Sequence, residues 1–144
     1  MGLDTTHGCW SGAYSAFARF RDKLADVAGY ETGRIVTEFD ITRETLFIDW
    51  GGVSEAQIMG RWDRMPCRID GTPDPLLLLL AHSDCEGIIP ARFCAALADR
   101  LAELVPLLPT DPDHGHIGHW QAKTERFIDG LRRAAEAGED VEFH

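Results

Sequence analysis

The chain contains no asparagine, few cysteines and lysines, and no long apolar segment. Because a membrane-spanning helix needs ~18 or more consecutive apolar residues, no membrane partner is predicted. Basic residues are also scarce, 14 against 24 acidic ones, which gives a formal net charge of −10. Such a charge disfavours nonspecific binding to nucleic acid or anionic lipid, so no nucleic-acid partner is predicted.

Two further absences bear on the cellular compartment. Residues 3–10 are polar and contain glycine, so they lack the apolar core of an export signal. The cysteines at positions 9, 67, 85 and 94 form no paired C-x-x-C motif. Together these features predict a cytoplasmic protein with reduced thiols.

Three segments have apolar residues at helical spacing, and they predict the main helices. The first spans about 11–28, with Ser11 as the cap and Gly29 as the stop. The second has Pro90 in its first turn and continues to about Val105. The third spans about 119–137 and is ended by Gly138.

Strand-like segments lie between and after these helices. Residues 34–50 are rich in β-branched and aromatic side chains and predict two short strands, followed by a short helix capped by Ser54. The apolar run at 76–81 predicts a strand that is buried on both faces, and 141–144 a short edge strand. The predicted fold is a single α+β domain over residues 1–144. In it about three main helices pack on a small mixed sheet with a central apolar strand at 76–81.

The polar segment His82-Ser83-Asp84-Cys85-Glu86-Gly87 directly follows the apolar run. A loop between a buried strand and a helix often carries a binding site. The residues predicted to bind a small polar ligand are His82, Ser83, Asp84, Cys85, Glu86 and Arg92. In the alternative interpretation, Ser83 or Asp84 caps the next helix, Cys85 is a core residue and His82 bonds a backbone carbonyl.

A metal site is a more specific form of the same hypothesis. His7 and Cys9, together with His82 and Cys85, offer two imidazoles and two thiols, which is a ligand set that suits zinc. The hypothesis requires the two short clusters to meet in space. Acidic neighbours of the loop are compatible with a bound cation.

Three weaker hypotheses concern other groups. Cys85 could be a nucleophile with His82 as its base, although the carboxylates of Asp84 and Glu86 would raise the pKa of the thiol, and no catalytic residue is assigned. A second histidine group could bind metal or lie in a solvated loop; it comprises His114, His116 and His119. A set of arginines could hold phosphate or form surface ion pairs; it comprises Arg61, Arg64, Arg68 and Arg92.

The segments 1–17, 82–87, 127–131 and 141–144 resemble a group of small uncharacterised proteins of actinobacterial phages and prophages. The resemblance implies a bacterial host cytoplasm and supplies no catalytic residue. The predicted function is therefore a small accessory binding protein that holds a metal or small polar ligand, or a host protein, and interferes with a host process. The alternatives are a zinc- or cysteine-dependent hydrolase and a virion or assembly component.

Overall fold

The computed structural model describes residues 2–29, 74–80, 82, 87–109 and 119–144. These residues form four α-helices: α1 (Tyr14–Ala28), α2 (Leu76–Leu80), α3 (Ala91–Leu104) and α4 (Trp120–Ala137). They also form four short strands: β1 (Gly2–Asp4), β2 (Ser11–Ala13), β3 (Gly87–Ile89) and β4 (Val141–Phe143). The α+β class is confirmed. The elements predicted at 34–50 and after Ser54 lie outside the described residues, and the single domain over 1–144 stays a prediction.

The strands of the described segments pair only in antiparallel fashion, so a mixed sheet is wrong for this part of the chain. β1 pairs with β2, and β3 pairs with β4. A bridge between Thr5 and Phe143 links the two pairs, and it is extended by reciprocal 2.9 Å backbone hydrogen bonds between Asp4 and His144. The predicted C-terminal strand is confirmed, but Phe143 is paired on both sides and does not lie at an edge.

The predicted central strand at 76–81 is wrong, because Leu76–Leu80 is the helix α2. An apolar run alone does not distinguish a buried strand from a buried helix, and leucine has a high helix propensity and no β-branch. Asp74 favours the helical conformation at this position, because its Oδ1 accepts a 3.0 Å hydrogen bond from the backbone N–H of Leu76. Asp74 is fully buried and is held by Arg100, with 3.0 Å between Nε and Oδ1. This capping arrangement starts a helix.

The three long helices occur close to where the apolar spacing predicts them. Helix α1 begins at Tyr14 and not at Ser11, because Ser11–Ala13 is engaged in strand pairing with β1. Gly29, which directly follows α1, adopts φ 85°, and Gly138 after α4 adopts φ 67°. Both predicted glycine stops are confirmed, since these left-handed conformations favour residues without a Cβ.

An aromatic cluster joins the strands to the helices. The Trp10 ring lies 5.3 Å from that of Phe17 and 5.1 Å from that of Phe20, between ring centroids. Phe20 stacks on Phe127 at 5.9 Å, and Phe17 contacts Phe143 at 5.8 Å. The N-terminal segment is thereby fixed against α1, α4 and β4. None of the helices in the described segments is long and apolar enough to cross a bilayer.

Candidate functional site

His82 is the one residue of the predicted 82–86 ligand set that the structure describes. Its imidazole is fully buried and stacks on Phe143, with 3.9 Å between ring centroids. Its Nε2 lies 2.9 Å from the carbonyl oxygen of Ile88, and its own carbonyl accepts a hydrogen bond from the Arg21 guanidinium. These contacts match the alternative in which His82 bonds a backbone carbonyl.

The N-terminal pair His7 and Cys9 contacts α4. His7 adopts φ 59° in a short 3-10 turn, and its carbonyl accepts a 2.6 Å hydrogen bond from Arg133. The Cys9 side chain is only 1% exposed, because it lies directly on Gly130 of α4. Burial raises the pKa of the Cys9 thiol to about 12, against a partial opposing effect of a hydrogen bond with Thr5. In this environment the Cys9 thiol packs as a small apolar group.

The zinc set His7, Cys9, His82 and Cys85 therefore stays a prediction. No three His, Cys, Asp or Glu side chains converge as a metal-binding group within residues 2–29, 74–80, 82, 87–109 and 119–144. Cys85 lies outside the described residues, as do Ser83, Asp84 and Glu86.

The structure describes three of the remaining candidate residues: Cys94, Arg92 and His119. Cys94 is fully buried, as expected for core packing, and burial raises the pKa of its thiol to about 11. The guanidinium of Arg92 lies 5.4 Å from the centroid of the Phe93 ring. His119 precedes α4 with a left-handed φ of 55°. His114, His116, Arg61, Arg64 and Arg68 lie outside the described residues.

A pocket of about 330 Å³ opens between the N-terminal segment, the start of α1 and α4. Its described lining comes from two parts of the chain that are far apart in sequence. The lining residues are Cys9, Trp10, Ser11, Gly12, Ala13, Ala16, Lys123 and Arg126. This volume is within the ~300–1,000 Å³ that small-molecule sites usually have.

The charged side chains among the described lining residues have one sign. None of its described lining residues carries a carboxylate, whereas Lys123 and Arg126 are both cationic. Arg126 is placed by its Nε, which donates a 3.1 Å hydrogen bond to the carbonyl of Gly8. Lys123 lies over the Trp120 ring at 5.0 Å, and partial burial lowers the pKa of its ammonium group. The pocket is a cationic region on an acidic protein.

Two further features lie beside the pocket. Helix α1 starts at its rim with no side-chain cap at Ala13 and no acidic residue in its first turn, and the start of a helix carries a partial positive charge. The Trp10 side chain is only 6% exposed, and no described residue accepts a hydrogen bond from its buried Nε1–H. Buried donors of this kind are uncommon in folded proteins.

Sequence reasoning did not single out these residues as a site. The Trp10 ring packs in the core against Phe17 and Phe20. The spacing of Lys123 and Arg126, three apart on one helix, places them on one face and was the available signal. Strands β1 and β2 pair as an N-terminal hairpin. Nothing in the sequence indicates that this N-terminal hairpin packs beside that face of α4.

No protein-family model, curated protein or solved structure that was compared with the chain matches it. Function is therefore inferred from the geometry of the described residues.

Proposed function

We propose that this protein is a small binding protein that holds a small polar ligand in the pocket between the N-terminal hairpin and α4. The observation that carries the proposal is the pocket itself, which combines a volume of about 330 Å³ with two cationic side chains, Lys123 and Arg126, among its described lining residues. A concave site with a few convergent polar groups is the usual form of a small-molecule site.

The chemistry of the described thiols supports binding over cysteine catalysis by those residues. Burial raises the pKa of Cys9 to about 12 and that of Cys94 to about 11, so both thiols are protonated at neutral pH. A protonated, buried thiol is a packing group, because the thiolate is the nucleophile. Cys9 lines the pocket as part of its wall.

The earlier hypothesis of a ligand held by residues 82–87 remains part of the proposal as a second contact region. His82 is fixed to β4 through Phe143, and β4 is bridged to Thr5 in the N-terminal segment. His82 and the N-terminal segment are therefore connected to each other through β4. The phage origin, the cytoplasmic location in a bacterial host and interference with a host process stay predictions.

The test is to fill the pocket without changing the fold. Ala16 lines the pocket from α1, and Ala16→Leu adds a large side chain with good helix propensity. Ala18→Leu, two residues further along α1 and outside the described lining, is the matched control. We expect untagged wild-type protein and the control to retain a co-purifying small molecule in native mass spectrometry, and Ala16→Leu to lose it.

The same variants are compared in thermal-shift screens against a panel of small polar metabolites. Stabilisation of wild type and Ala18→Leu, but not of Ala16→Leu, supports the pocket as the site. Equal responses from all three proteins, or no bound molecule and no response in any of them, contradict the proposal.

A further inference from the structure

We draw no further inference here: the strongest candidate, the buried side-chain cluster in which the His82 imidazole stacks on Phe143 of β4 with its Nε2 2.9 Å from the Ile88 carbonyl oxygen, belongs to the packing already described, and none of its contacts within the described residues points to a ligand, a partner or a second conformation.

Discussion

The packing of Cys9 on Gly130 gives the sharpest test of the architecture around the pocket. Gly130 is an interior residue of α4, where glycine is unfavourable relative to alanine by roughly 0.5–1 kcal/mol. On helix propensity alone, Gly130→Ala should therefore stabilise the protein. The structure predicts the opposite, because a Cβ at position 130 would lie 2.9 Å from both the backbone N and the Cα of Cys9, and closer still to its Sγ.

The expected loss in the free energy of unfolding follows from the groups that the new Cβ of Gly130→Ala would displace. Two of the three short contacts are to backbone, so a change of side-chain rotamer does not relieve them. The Thr5–Trp10 segment is closed on itself by a 2.8 Å bond from Trp10 N–H to Thr5 Oγ1 and a 3.0 Å bond from Thr5 N–H to the Trp10 carbonyl, so it must shift as a unit. Overpacking of this kind costs about 1–3 kcal/mol. We expect the upper part of that range, which lowers Tm by roughly 5–10 °C for a domain of this size.

The assay is urea denaturation and thermal unfolding of Gly130→Ala beside the exposed neighbour Asp129→Ala, which should differ from wild type by less than about 0.5 kcal/mol. The double variant Cys9→Ala/Gly130→Ala removes the sulfur contact and retains the backbone ones, so it should recover only part of the loss. A Gly130→Ala protein as stable as wild type, or more stable, would refute the packing of the N-terminal segment on α4.

The remaining predictions concern buried polar groups. Because burial raises the pKa of Cys9 to about 12 and that of Cys94 to about 11, iodoacetamide should label both in the native protein at least ~10²-fold more slowly than in urea. A raised thiol pKa stabilises the fold below the ordinary value of 9.0 and is lost as pH rises toward 12, so the free energy of unfolding should fall above pH 9, and less so in Cys9→Ala. Asp74→Ala should cost about 3 kcal/mol, because it removes the α2 cap and leaves Arg100 without its buried partner. If untagged protein contains zinc by elemental analysis, Cys9→Ala should retain it and lose stability instead.

Each of these has an outcome that contradicts it. Native labelling as fast as in urea would show that the thiols are accessible, and an unchanged free energy of unfolding between pH 8 and 10.5 would remove the pKa argument. Glu103→Gln, which affects a more exposed partner of Arg100, serves as the control for Asp74→Ala and should cost less than about 1 kcal/mol. Loss of zinc on Cys9→Ala would establish Cys9 as a ligand and contradict its role as a packing group.

The elements that the sequence predicted correctly are those with local signals. Helices α1, α3 and α4 have apolar residues at helical spacing, and Gly29 and Gly138 mark two of their ends. The Leu76–Leu80 run carries no such periodic signal, because all its members are equally apolar. Its conformation is set by Asp74 and by Arg100, a residue 26 positions further along the chain, which no local pattern reveals.

The candidate site depended even more on contacts between distant residues. The surroundings of His7, Cys9 and His82 are set by Arg133, Gly130 and Phe143, which belong to the last quarter of the chain. Cys9 looks like a metal ligand in sequence because its neighbour two residues earlier is a histidine. In the fold, the absence of a side chain at Gly130 makes it a packing residue.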